Sequence, residues 1–465
     1  MTEYQISLTI AAILAGMVLV AVASYLRPVH GACASVFSVF VGMPHLRYIN
    51  DYMLTYLFIF NLVVPAAAFG VCARFAVERK PLPRPGPFAP FLLAILIYET
   101  VALTWAPDFF FGLGGVFNVW CNTAFFFLTV LTVTDEKGLR ALLTAFLASA
   151  FVNSLFMVYT AFYHNEFTIT LARHTEIYFQ LFSQEVWGRL GGLCSANQAG
   201  GLLIFAAFCA FAWGLGVKTR TKRYLFYALA AFFFALMPQT ASRGTLIGGV
   251  AGPLVFFFLH PKTRARYLNY AGWFLVFSAV CVLVSRPDFL DKFLIGFGFK
   301  GIFNPASATD LTGAQEHVGF AIRIKYWLAA MDEMAEHPVK LLFGLGSGGF
   351  TYYSTEVQAN SFFLAFFFDM GLFGAALLAY LLFRILRFMA VPLSVADAFT
   401  GRMYLACALG LFAEIGVHGL IEYDITSHIG RFVYMFIAIT AAALNVVKRE
   451  LEERGGEKTG GKTFF

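Results

Sequence analysis

The chain has 465 residues, 59% of them hydrophobic and 13% charged, and its 33 basic and 27 acidic side chains leave a net charge of +6. Soluble domains carry roughly 25% charged residues. With a mean hydropathy of +0.73, this composition excludes a soluble enzyme, a disordered chain and a nucleic-acid-binding domain. It describes an all-α polytopic membrane protein, a single integral domain over 1–465, in which the basic excess records loop orientation rather than affinity for anionic partners.

A helix needs roughly 20 apolar residues to cross a bilayer. Stretches near that length fall at about 5–25, 52–73, 86–106, 110–134, 140–162, 198–216, 224–239, 244–260, 267–285, 361–386, 403–421 and 430–447, so twelve spans are predicted. The first, Ile6 to Tyr25, lacks a basic leader and a small-residue cleavage site, which makes it a retained helix rather than a signal peptide. Ala32 to Met43 is apolar but short, and reads as interfacial or re-entrant. Basic clusters around Arg74, Arg140, Arg220, Arg264, Arg387 and Arg449 separate alternate pairs of spans. The positive-inside rule puts that side, and with it both termini, in the cytoplasm.

The opposite, periplasmic side holds the longer connections, about 163–197 and a large loop at 286–360. Loops there carry the expected working surface. Within the large loop, Ala321 to Glu336 has helical periodicity, with Ile324, Leu328, Met331 and Ala335 on one face, and Pro338 ends it. The glycine-rich Gly344 to Gly349 stretch reads as a turn whose amides could also cradle an anion. The tail at 454–465 is rich in Gly, Lys and Glu and reads as disordered and cytoplasmic. Seven scattered cysteines without a CxxC pair suit apolar packing and suggest neither disulfides nor a metal cage.

Three arginines stand on the side where basic residues are depleted. Arg189 lies in Trp187-Gly-Arg-Leu-Gly-Gly-Leu-Cys-Ser-Ala-Asn197, Arg243 in Thr240-Ala-Ser-Arg-Gly244, and Arg323 opens Arg323-Ile-Lys325-Tyr326-Trp327. An arginine near bilayer depth costs about 2.5–3.5 kcal/mol on insertion scales unless it snorkels or faces a polar cavity. A lone one is a snorkelling anchor or a helix-end cap. Three of them in Gly/Ser/Asn-rich settings call for an anion or for structural carboxylates, and a pyrophosphate matches the guanidinium fork bidentately.

These residues are similar to those of the O-antigen ligase and O-antigen polymerase superfamily. The resemblance rests on the arginine followed by Asn197, on Ser242-Arg243-Gly244, and on Arg323-x-x-x-Trp327 with Pro338, Phe343-Gly344-x-Gly346-x-Gly348-x-Phe350 beyond it. Asn360-Ser361 and Asp369-x-Gly371-Leu372-x-Gly374 complete it, so that it is strongest over about 185–390. The resemblance implies a metal-independent, inverting glycosyltransferase of the bacterial inner membrane, without a cofactor. Its donor is an undecaprenyl-pyrophosphate-linked glycan, and its acceptor is the lipid A core of lipopolysaccharide or, for a polymerase, a second lipid-linked glycan. Arg189, Arg243 and Arg323 are expected on the pyrophosphate, with Lys325, Tyr326, Asn197 and Asn360 around the substrate.

The chain departs from that pattern at one position. Ligases of this kind carry a His just before the Asn-Ser, read as the base that activates the acceptor hydroxyl, and here the position holds Ala359. Either an inactivating replacement has silenced the base, or another group takes the proton. His317 is the first alternative, followed by His337, His418 and His428 together with Glu316, Glu414, Glu422 and Asp424. A transporter of lipid-linked glycans is the rival from another class. It is disfavoured because transporters place charges near the bilayer midplane, whereas here the ionisable groups gather at the outer rim.

Overall fold

The computed structural model describes residues 3–41, 59–79, 82–83, 85–163, 168–170, 178–180, 193–194, 196–240, 242–259, 319–354, 361–389, 398–419 and 430–455. The protein is an all-α membrane protein, with one short antiparallel ribbon among the described residues, β1 (Thr168–Thr170) paired with β2 (Tyr178–Gln180). The helices of the first half are α1 (Glu3–Leu26), α2 (Pro28–Val41), α3 (Ile59–Glu78), α4 (Ala89–Ala102), α5 (Phe109–Thr132), α6 (Glu136–Tyr163), α7 (Ala196–Gly216), α8 (Arg220–Leu236) and α9 (Arg243–Leu259). Then come α10 (Gly319–Glu336), α11 (Pro338–Phe343), α12 (Gly349–Ser354), α13 (Phe362–Met389), α14 (Phe399–Leu411) with a π-helical turn at Phe412–His418, and α15 (Gly430–Gly455). A helix coincides with each predicted stretch except 267–285, which lies outside the described residues. Among the described residues, six helices are long and apolar enough to cross a membrane: α3, α5, α6, α7, α13 and α15.

The bundle is organised around α15, whose apolar length is wholly enclosed by protein and which packs on α5, α14, α6, α2 and α7. Phenylalanine fills the seam. Phe436 of α15 stacks on Phe205 at 4.6 Å, Phe146 meets Phe205 edge-on at 5.4 Å, and Phe40 meets Phe432 edge-on at 5.6 Å. Lipid tails are as apolar as these side chains, so what holds helices together in a bilayer is close packing rather than escape from water. Offset and edge-on rings supply that packing, which gives the abundance of Phe a structural reason.

Basic residues collect at one end. The Arg140 guanidinium covers the Phe399 ring at 3.6 Å, Arg449 donates to the Thr134 carbonyl at 3.2 Å, and Arg402 packs on Gly216. Arg74 at the end of α3 donates to the carbonyl of Leu26, the last residue of α1, at 2.6 Å. Gly70 lies directly against the Ala21 carbonyl, so α1 and α3 run in the same direction. The helix between them makes this possible. α2 starts beside the first turn of α6, where Val29 meets Gly138, and reaches Phe432 near the start of α15.

Here the structure departs from the sequence reading. The described part of the 32–43 stretch, up to Val41, is neither interfacial nor re-entrant: Ala32, Val36, Val39 and Phe40 are all buried, and α2 traverses the bundle. Its 14 residues reach about 21 Å at 1.5 Å per residue, short for lipid but sufficient inside protein. The added traverse is what lets α1 and α3 run the same way.

At the end away from the basic groups, α13 breaks at Gly371, whose φ of 63° and ψ of −152° lie in a region open essentially to glycine alone. The break leaves helix-end carbonyls without intrahelical partners, and the glycine-rich loop supplies them. The Leu345 amide donates to the Phe368 carbonyl at 2.8 Å and the Gly346 amide to that of Asp369 at 3.2 Å. The Asp369 carboxylate in turn accepts from the Phe350 amide at 3.2 Å, and the Tyr98 hydroxyl donates to the Phe343 carbonyl. The stretch is therefore a docking loop: the amides of Leu345 and Gly346 are spent on α13, and those of Gly344 and Gly349 on the carbonyls of Lys340 and Gly346. Helix α10 completes this layer, packing Trp327, Ala330 and Met334 against Leu345, Phe350, Ala365 and Phe368. That is a different face from the one its periodicity suggested, since Leu328 and Met331 are exposed.

Gly371→Ala is expected to cost about 1–3 kcal/mol from backbone strain alone, read as a lowered unfolding midpoint in detergent. The exposed neighbour tests the assignment: Leu372→Ala should stay within about 0.5 kcal/mol of the parent.

Candidate functional site

The site end is built outward from the first turn of α9. Three residues of the Thr240-Ala-Ser-Arg-Gly244 turn carry its geometry. Thr240 Oγ1 donates to the Met237 carbonyl at 2.7 Å and accepts the Ser242 amide at 3.2 Å. Ser242 then caps the helix: its Oγ accepts the Thr245 amide at 3.2 Å, satisfying one of the donors that a helix start leaves open. Arg243 is the first residue of α9, and its backbone is held by this cap.

The cap is buttressed by a second element. Ser242 Oγ lies 3.2 Å from His418 Nε2, and His418 Nδ1 lies 3.0 Å from Glu414 Oε2. Glu414 and His418 sit four residues apart on the π-helical turn that ends α14, a local widening that recurs at functional positions. An ionised carboxylate only accepts, so the hydrogen-bond pattern assigns the proton to Nδ1. In the neutral ring Nε2 is then left to accept the Ser242 hydroxyl. Ser242, Glu414 and His418 are all completely buried. Chemically the array is a brace and not an exposed nucleophile.

Glycine makes the approach of three helices possible. A methyl group on Gly201 of α7 would overlap the Glu414 carboxylate, and one on Gly244 of α9 would overlap the His418 ring. Gly200 similarly makes room for Thr245. Asn197 lies one turn earlier on α7, half-buried at the same end, with Gln198 fully buried beside it.

The predicted site residues thus divide. Asn197 and the backbone of Arg243 come together with the braced pair Glu414 and His418, two of the alternatives considered for the base. Arg323, Lys325 and Tyr326 lie on α10, with their side chains outside the described residues, as is that of Arg243. The two groups share the start of α13: Phe362 meets Gly419 next to His418, while Ala365 and Phe368 pack on α10. Arg189, His317, Ala359 and Asn360 lie outside the described residues, and so do Glu316, Glu422, Asp424 and His428. His337 is described and lies away from the brace, on the exposed side of the α10–α11 junction, 4.0 Å from Glu333.

Sequence reasoning missed two ionisable residues. Arg431, at the start of α15, is 2% exposed and lies beside Cys194. Glu99 of α4 is 1% exposed and lies near Tyr98 and Tyr434. A charge inside an apolar stretch was the available signal, since such residues are costly and mark functional regions. Among the described residues no group of three His, Cys, Asp or Glu side chains is placed to hold a metal ion.

Compared with known proteins, no family model matches the sequence and no curated protein matches it.

Gly201→Ala is expected to destabilise the protein by about 1–3 kcal/mol through overpacking, measured as a lower unfolding midpoint. Gly114, on α5, has nothing within 4 Å of an added methyl group, so Gly114→Ala should leave the midpoint unchanged or raise it.

Proposed function

We propose that the chain is a membrane glycosyltransferase of the O-antigen ligase type. It moves a glycan from undecaprenyl pyrophosphate to the lipid A core of lipopolysaccharide at the periplasmic face of a bacterial inner membrane. The observation that carries this reading is the brace behind Arg243. A Ser-Arg-Gly turn like that of the superfamily is built into a helix start by a buried carboxylate, imidazole and hydroxyl. The positive pole of a helix favours anions at its N-terminus, so an arginine there adds to a field that already suits a phosphate group.

Orientation supports the same reading. The end bearing Arg74, Arg140, Arg402 and Arg449 goes to the cytoplasm by the positive-inside rule. The braced turn then faces the periplasm, with Gly455 cytoplasmic and Glu3 periplasmic. In the reaction the acceptor hydroxyl oxygen attacks the anomeric carbon and gives up its proton to a general base, while the bond to the pyrophosphate oxygen breaks on the opposite face, inverting the centre. Negative charge grows on the leaving group, where Arg189, Arg243 and Arg323 stabilise it without a divalent ion.

Ala359 favours a second reading. It has no atom to accept the acceptor's proton, so the residue that marks the ligases is missing, and a polymerase joining two lipid-linked glycans shares the same donor chemistry. The test is transfer by the purified chain and by its Ala359→His variant, each given the lipid-linked donor with either a lipid A core or a second lipid-linked glycan. The acceptor that reacts decides between ligase and polymerase. Transfer by the His form alone identifies position 359 as the base, and absence of transfer by both overturns the glycosyltransferase reading.

In the active form, Arg243→Ala and Arg323→Ala are each expected to lower kcat about 100-fold, the scale of losing one donor to developing charge. Full activity in both would remove the arginines from the mechanism. A chelator should leave the rate unchanged, and a requirement for magnesium would contradict the proposal.

A further inference from the structure

A buried carboxylate and imidazole need a reason to be where they are. Removing an ion from water costs several kcal/mol even after relaxation, and well-packed apolar residues often do better for stability alone. Glu414 and His418 are each 0% exposed, on a turn whose neighbours Ala413 and Ile415 are ordinary buried apolar residues. The pair is not a direct base for a lipid-linked substrate. Both ring nitrogens are engaged, by Glu414 and by Ser242, and the ring lies against Gly244. The hydrogen bonds instead run in one direction through the structure, donated from the Thr245 amide to Ser242, from Ser242 to His418 and from His418 to Glu414, and so tie the cap of the helix that begins with Arg243 to the π-helical turn.

We propose that His418, oriented by Glu414, is a positioning residue that acts through Ser242 to hold the first turn of α9, and thereby Arg243, in register for a pyrophosphate-bearing substrate. This inference rests on the glycosyltransferase reading and adds to it the device that sets one of its arginines. The carboxylate fixes the ring tautomer and rotation, as carboxylates do for functional histidines elsewhere. The ring fixes the Ser242 rotamer, and Ser242 ties the start of α9 through the Thr245 amide. Gly200, Gly201 and Gly244 remove the slack that would let the three elements slide. Such a brace matters because a displacement of about 1 Å at a reacting group costs on the order of 100-fold in rate.

The experiment compares the chain in its active form with His418→Ala, His418→Gln, Glu414→Gln, Arg243→Ala and the double variant His418→Ala/Arg243→Ala. Each is tested for folding in detergent, for binding of undecaprenyl pyrophosphate itself, and for kcat and KM of transfer. His418→Ala is expected to lower kcat by roughly 10- to 100-fold. His418→Gln should recover most of that loss, since its amide oxygen can stand where Nε2 accepts the Ser242 hydroxyl. The double variant should be no slower than Arg243→Ala alone, because the histidine works through the arginine.

A folded His418→Ala with the parent kcat overturns the proposal, as does a double variant whose losses simply multiply. If His418→Ala fails to fold, His418→Gln and Glu414→Gln decide: lowered kcat in Glu414→Gln with near-parent kcat in His418→Gln supports the brace, and parent kcat in both overturns it. If the active form neither binds undecaprenyl pyrophosphate nor transfers, the glycosyltransferase reading itself falls, and this inference with it. If it transfers and depends on Arg243 but not on His418, only the brace falls.

Discussion

Hydrocarbon offers no partner to a backbone amide or carbonyl, so a chain that crosses it must satisfy these groups internally. That constraint explains where this protein is regular and where it is not. The enclosed helix α15 is continuous from Gly430 to Gly455, and its surroundings are rings and small side chains. The departures from helical regularity fall at the site end and inside protein, each matched by a specific partner. The break at Gly371 is repaired by the amides of Leu345 and Gly346. The π-helical turn at Phe412–His418 carries two ionisable side chains that are paired with each other and with Ser242.

Glycine is the means by which these irregular places come together. In a bilayer, helices associate by close approach of backbones rather than by expulsion of water. Gly70 brings α3 onto α1, and Gly201 and Gly244 bring α7 and α9 onto the turn bearing Glu414 and His418. A buried polar network depends on its neighbours keeping it in register, the more so here because Glu414 bonds through Oε2 while its Oε1 is buried without a hydrogen-bond partner. The tight contacts around the Ser242–His418–Glu414 array therefore serve the polar groups as much as the packing. The same end holds the docking loop on α13, so the two halves of the proposed site are referenced to one helix start at Phe362.

Much of the architecture was legible because hydropathy is a local property. Long apolar stretches announced nearly every helix, and the clustering of Arg and Lys marked one end. Two features were not legible. The 32–43 stretch reads as too short to cross, because length is judged against lipid, yet α2 is sheltered by α3, α5 and α6 and needs only to match its neighbours. Helix α10 was assigned an apolar face from its periodicity, but its partners are determined by the loop and by α13, and they select Trp327, Ala330 and Met334. A face that periodicity marks as apolar is not thereby a buried one when lipid is also a solvent.

The candidate site shows the same division. Composition and motif order were enough to determine an all-α membrane protein, to single out Arg243 between Ser242 and Gly244, and to mention Glu414 and His418 among several possible bases. They could not say that these last two belong with Ser242, because the pairing spans 176 residues and joins helices that are remote in the chain. Nor could they say that the amides of Leu345 and Gly346 would dock on α13, since that depends on which carbonyls α13 leaves open. Tertiary structure decided both, for one physical reason: a hydrogen bond is specified by where two groups meet, and only the packing of helices brings them together.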